Sequence, residues 1–142
     1  MLSITELLPI TMQNVDKAHN AMFAKWVKQL KINYKKIDVG SVIAEYTVSD
    51  NEKFILGGVC GQVLMSVMDT VFTVAVCTTP TPNNGTISQN TSFLRPAIGE
   101  KFIIKAKVKK FGKSITVGET EILAMDNQKI ICHSVSTFSM QC

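Results

Sequence analysis

Between Lys53 and Arg95 the chain carries one charged side chain, Asp69. It stands inside an apolar run, Gly61-Gln-Val-Leu-Met-Ser-Val-Met-Asp69-Thr-Val-Phe-Thr-Val-Ala-Val-Cys77. A carboxylate taken out of water without partners is costly. Such a position needs hydrogen-bonding neighbours, for which Ser66, Thr70 and Thr73 are at hand, or a chemical task. Desolvation raises a carboxyl pKa, and with it its strength as a base. Gly57, Gly58 and Gly61 come just before. Glycine lets the backbone approach a ligand closely. A helix starting near Gly61 aims free N–H groups and the positive end of its dipole at an incoming oxygen, which is how an oxyanion is held. Cys60 precedes that start, where a helix N-terminus lowers a thiol pKa, but neither His19 nor His133 is near in sequence to act as its base. We read Cys60 as a loop residue and both histidines as structural or surface groups.

The elements that must position these groups follow from periodicity. Residues 1–15 lack a clear period and read as an extended lead-in. Asp16 is placed to cap a helix over 16–30, with Ala18, Ala21, Met22, Phe23, Trp26, Val27 and Leu30 as its apolar stripe. Val39-Gly40 suggests a turn between two strands. Val42, Ala44, Tyr46 and Val48 alternate over 41–48. The loop 49–58 leads into the apolar helix, which ends near Thr79 because Pro80 and Pro82 cannot continue it. The rest reads as strands at 86–94, 100–110, 114–124 and 129–140. In the second of these Phe102, Ile104, Ala106 and Val108 face one way and Lys101, Lys105, Lys107 and Lys109 the other. Alternating strands predict an antiparallel sheet with one buried and one wet face, whose concave side one apolar helix would fill.

Length and composition set bounds. A chain of 142 residues suits one domain, here 1–142. A net charge of +4 is too small for a nucleic-acid footprint and compatible with an anionic small ligand. Cys60, Cys77, Cys132 and Cys142 are scattered and show no metal-ligand spacing with the two histidines, so reduced cytoplasmic thiols and no metal site are expected. The apolar run is just short of the roughly 20 residues of a membrane span, and Asp69 lies at its centre. No membrane association is expected.

The order of elements resembles the hotdog fold, an α+β architecture in which a curved antiparallel sheet wraps around one long buried central helix. The local sequence sharpens the likeness. Gly57-Gly58-Val-Cys60-Gly61-Gln62-Val-Leu-Met-Ser-Val-Met-Asp69-Thr-Val-Phe72 resembles the signature of PaaI-like hotdog acyl-CoA thioesterases. There the loop enters the helix at His-Gly-Gly, or at Gly-Gly-x-x-Ser-Gly-Pro in one branch, ahead of an apolar stretch and an Asp. Aligned on Asp69, His-Gly-Gly falls on Cys60-Gly61-Gln62. Phe93-Leu94-Arg95-Pro96 with Gly99, and Lys110-Phe-Gly112-Lys113-Ser114, resemble later landmarks.

The resemblance implies hydrolysis of an acyl-CoA thioester. Asp69 would act as general base or nucleophile, backbone N–H groups near Gly61 as the oxyanion hole, and Thr86, or Ser88 if the register slips, as the hydroxyl that orients water or substrate. Gly58, Cys60, Gln62, Asn51, Phe93, Arg95, Lys110, Gly112 and Lys113 would bind substrate, with Arg95, Lys110 and Lys113 on the phosphates of coenzyme A. It also implies no metal or redox cofactor, no nucleic-acid partner, and a homodimer with sites between subunits, often paired into a dimer of dimers. Cys60 for His and Gln62 for Gly favour an alternative, a non-catalytic acyl-CoA or lipid-binding hotdog module. A hotdog hydratase pairs a histidine with a carboxylate, and none lies near this helix.

Overall fold

The computed structural model describes residues 3–141. Six strands form one antiparallel sheet in the order β1-β2-β4-β5-β6-β3. They are β1 (Lys31–Asp38), β2 (Ser41–Thr47), β3 (Asn83–Phe93), β4 (Lys101–Phe111), β5 (Ile115–Ala124) and β6 (Ile130–Met140). The helix α4 (Gly61–Val76) packs on β2, β4, β5, β3 and β6. This is the expected hotdog arrangement. Val42, Ala44 and Tyr46 of β2 and Phe102, Ile104 and Ala106 of β4 are buried beneath the helix, as their alternation requires. Among the described residues no helix is long and apolar enough to cross a membrane.

Both ends of α4 are set by identifiable contacts. At its C-terminus Cys77 N–H bonds the carbonyls of Thr73 and Val74, and Pro80 follows. Thr78 Oγ1 accepts Gly40 N–H at 2.7 Å and donates to the Ala75 carbonyl at 2.8 Å, so the β1–β2 turn is stapled to the helix end. Gly40 sits at φ +73°, a conformation that favours glycine. Small residues floor the sheet on β5 and β6: Gly118, Thr120, Ser134 and Ser136 are all buried. A Cβ on Gly118 would lie 2.5 Å from the Phe72 ring and 2.4 Å from the Lys107 carbonyl. Phe72 in turn packs edge-on against Phe138, with centroids 5.4 Å apart. Gly118→Ala is therefore expected to cost about 3 kcal/mol, since neither the carbonyl nor the wedged ring can yield cheaply. Urea unfolding of the variant measures this, and a loss below about 1 kcal/mol would show that the floor adapts.

The first thirty residues depart from expectation. The lead-in contains a short helix, α1 (Ile4–Leu7), and then anchors Ile10 through a 2.8 Å bond from its N–H to the Cys77 carbonyl. Its apolar residues lack a period because Leu7, Ile10 and Val15 are separate anchors into the core rather than one face. The helix expected over 16–30 is two: α2 (Val15–Met22) and α3 (Lys25–Lys28). Phe23 is extended, at φ −95° and ψ 150°, and Trp26 is 55% exposed. Phe, Trp and Val are weak helix formers, and the break turns the chain toward β1 while Leu30 still reaches the core. Lys28 Nζ bonds the Asn20 carbonyl left open at the break. Asn14, not Asp16, occupies the N-cap position.

Candidate active site

α4 is less completely enclosed than its composition suggests. Its polar residues Gln62, Ser66, Asp69 and Thr73 recur at intervals of four, three and four, which places them on one face. That face, with Met65, is the one the chain leaves partly open, and it lies beside the edge strand β3. Asp69 is thus half-buried. Thr86 of β3 donates its Oγ1–H to Asp69 Oδ1 at 2.8 Å. The helix's own hydroxyls are occupied elsewhere. Ser66, Thr70 and Thr73 donate to the carbonyls of Gln62, Ser66 and Asp69 at 2.6–2.8 Å, so none holds the carboxylate. Burial pushes the Asp69 pKa up, and the Thr86 hydrogen bond partly opposes that. The result is a carboxylate with one oxygen fixed and raised basicity on the partly exposed face of the helix.

The start of α4 is the second chemical feature. Cys60 is its N-cap, extended at φ −69° and ψ 149°, and contributes no side-chain cap. The N–H groups of Val63 and Leu64 bond the Cys60 carbonyl, which leaves those of Gly61 and Gln62 without a backbone acceptor among the described residues. The Phe93 ring lies over Gly61, 3.2 Å from where a Cβ would stand. Phe93, Leu94, Arg95, Leu64 and Val59 border a largely apolar groove of about 330 Å³ there. Gly58 is tight too, since a Cβ would approach Phe54 to 3.0 Å. Neither this groove nor the larger hollows, of about 400 Å³ by Phe102 and Asp126 and about 510 Å³ by His19 and Tyr34, are lined by Asp69.

Geometry sorts the remaining residues. Gly61 and Asp69 are eight residues apart on one helix, or about 12 Å at 1.5 Å per residue. Arg95 borders the groove, and its Nη1 donates to the Ile130 carbonyl at 2.6 Å. Lys110 is exposed on β4 opposite Val117, whereas Arg95 N–H bonds Ile131, beside the Leu123–Ile130 pair. Val117 and Leu123 are six residues apart on β5, so roughly 20 Å separates Arg95 from the Lys110-Gly112-Lys113 hairpin within one chain. Gly112 has a structural requirement of its own: a Cβ would fall 2.2 Å from the Ile115 carbonyl. Asn51 is exposed on a 3₁₀ turn (Asp50–Glu52) whose last residue contacts Cys60. His19 bonds Tyr34 through Nδ1 at 2.8 Å, and His133 bonds Glu119 at 3.2 Å. Neither meets Asp69. Cys60, Cys77 and Cys132 are free thiols, and burial pushes Cys77 up to about 11 and Cys132 up to about 12. Cys142 lies outside the described residues. Glu52, in the loop before α4, is buried and hydrogen-bonded by Tyr46.

The model of the thioesterase superfamily matches residues 56–131, a span from the glycine loop through α4 to β6. No curated protein sequence matches the chain. Among solved structures, zebrafish thioesterase superfamily member 2 is 21% identical, with 93% of this chain and 99% of its own covered at a TM-score of 0.83. The Escherichia coli PaaI protein from the phenylacetic acid degradation operon is 22% identical, with 92% of each chain covered at 0.77. A Streptococcus mutans protein bound to acetyl CoA is 14% identical, with 78% of this chain and 89% of its own covered at 0.71. At these identities the likeness is one of fold.

Proposed function

Because this chain belongs to the thioesterase superfamily, we propose that it is an acyl-CoA thioesterase that uses Asp69 as its base. The observation that carries the reading is the half-buried Asp69 carboxylate, held by Thr86 at one oxygen on the partly exposed face of α4. Water placed there gives a proton to Asp69 as its oxygen attacks the thioester carbonyl carbon. The oxyanion forms against the N–H groups at the start of α4. Collapse breaks the carbon–sulfur bond, and the thiolate takes the proton back from Asp69. A carboxylic acid and a free thiol leave. The acetyl CoA held by the Streptococcus mutans neighbour supports a coenzyme A thioester as the substrate class.

The 12 Å between Gly61 and Asp69 bears on assembly. One carbonyl cannot touch both from a single helix, so the working site pairs Asp69 of one copy with the helix start of another. The face that a second copy would cover includes the edge strand β3 and the exposed Met65, Ile87 and Phe93. An isologous homodimer satisfies both sites at once, and a dimer of dimers is compatible with it. In such a dimer Arg95 of one chain and Lys110 and Lys113 of another would together hold one ligand's phosphates. We place the enzyme in the cytoplasm, on the reading of Cys60, Cys77 and Cys132 as reduced thiols.

Assaying free thiol over a panel of acyl-CoAs tests the reading. Turnover with kcat/KM of about 10⁴ M⁻¹s⁻¹ or more on at least one member is expected. Coenzyme A esters that bind without thiol release would overturn it in favour of a non-catalytic binding module, toward which Cys60 and Gln62 point.

A further inference from the structure

The loop before α4 contains a buried carboxylate that the proposed chemistry does not use. Glu52 is 7% exposed, while its neighbours Asp50, Asn51, Lys53, Phe54, Ile55 and Leu56 are all exposed. A buried carboxylate is kept only with good partners. Glu52 Oε1 accepts two donors, Tyr46 Oη–H and the Ser49 N–H at 2.9 Å. Tyr46 is fully buried in β2, paired with Ile32 on one side and Phe102 on the other, so it is a rigid point of the sheet. Burial and the adjacent Glu52 push the Tyr46 pKa up, which keeps its hydroxyl a donor.

The main chain of the same residue grips the helix start. The Glu52 carbonyl accepts the Cys60 N–H at 3.0 Å. Lys53 and Val59 form an isolated antiparallel bridge immediately beyond, and Phe54 N–H bonds the Gly58 carbonyl at 2.9 Å. The segment 53–59 is therefore a closed loop. Its neck is the Glu52–Cys60 bond, and its tip carries Ile55, 98% exposed. Cys60 then supplies the carbonyl that opens α4, and Gly61 and Gln62 carry the open N–H groups. One residue thus holds the sheet with its side chain and, with its backbone, the peptide that sets the direction of those donors.

We propose that Glu52 is a positioning residue: through Tyr46 and Cys60 it registers the oxyanion donors at Gly61 and Gln62 against the sheet. This rests on the thioesterase reading. Paired hydrogen bonds at a buried neck suit the task, because a shift of 1 Å in such donors lowers turnover strongly.

The test compares Tyr46→Phe, Glu52→Ala and Glu52→Gln with the wild type, all checked for an intact thermal transition. Tyr46→Phe and Glu52→Ala should lower kcat and kcat/KM together by about ten-fold or more, because the affected contact forms only in the transition state. KM should stay within about two-fold. Glu52→Gln retains an acceptor oxygen for both donors and should recover most of the turnover. The double variant Tyr46→Phe/Glu52→Ala should be no worse than the poorer single one, as expected for one mechanical unit. Amide exchange at Cys60 gives a readout independent of catalysis, and it should quicken at least ten-fold in Tyr46→Phe and Glu52→Ala. A lowered Tm with unchanged kcat would overturn the proposal. If the wild type hydrolyses no thioester, the thioesterase reading fails on its own terms. Cys60 exchange then decides the brace: unchanged exchange in both variants overturns it, and faster exchange in both supports it.

Discussion

Asp69→Asn should lower kcat by about 10²–10⁴-fold while raising the stability of the protein near neutral pH. Both effects come from one feature. The carboxylate is half-buried, and burial raises its pKa from the ordinary 3.8 despite the Thr86 hydrogen bond. An amide of the same shape still accepts from Thr86 but cannot take a proton from water, so the site is kept and the chemistry is lost. The sign of the stability change follows from linkage. With its pKa raised by folding, the native carboxyl binds more protons than the unfolded one between pH 3.8 and the raised value. Stability therefore falls as pH rises through that window, and the full penalty remains above it. Asn carries no such penalty. The Tm gap between variant and wild type should close on acidification below the ordinary carboxyl pKa. Wild-type kcat/KM should decline on the acid side with an apparent pKa above 3.8, since the base must be ionised. Turnover within about three-fold of wild type in Asp69→Asn would remove Asp69 as the base.

Much of the scaffold could be read from the chain because its signals are local. The alternation of Phe102, Ile104 and Ala106 against lysines is a direct record of one wet and one dry face, and β4 follows it. α4 begins at Gly61 and closes ahead of Pro80, as helix chemistry requires. β3 begins at Asn83, three residues ahead of the expected start at 86, and Gly85, at φ +99°, accommodates a register shift inside the strand. The stripe Gln62, Ser66, Asp69, Thr73 was visible as spacing, yet the apolar majority of α4 argued for enclosure on every side. Which face stays open is decided by where β3 falls in the sheet order, a long-range fact. Thr86 beside Asp69 is of the same kind, since seventeen residues separate them and the family resemblance rather than any pattern pointed there. Glu52 was illegible because burial of a loop carboxylate depends on a tyrosine hydroxyl reaching it from β2.

A mixed dimer built from two inactive variants should regain about half of the wild-type activity per dimer. The first variant is Asp69→Asn. The second is Gly61→Pro, which deletes one N–H at the first position of a helix, where proline is well tolerated. The residue before it, Cys60, already has the extended conformation that a following proline requires. Proline's ring must displace Phe93 by a few tenths of an ångström, which a half-exposed side chain permits. Losing one oxyanion donor should cost about 10²–10³-fold in kcat. With 12 Å between the two groups on one helix, each site draws Gly61 from one chain and Asp69 from the other. In the mixed dimer both lesions then fall on the same site. The second site keeps the glycine of the Asp69→Asn chain and the aspartate of the Gly61→Pro chain, and it is intact. Co-expression with two different tags and sequential affinity purification isolates this species, and its thiol release is compared with that of each parent. Recovery from near background to about half is a change of roughly two orders of magnitude, too large to arise from altered stability. If the mixed dimer stays as inactive as its parents, base and oxyanion donors act within one chain, and the shared-site arrangement is wrong.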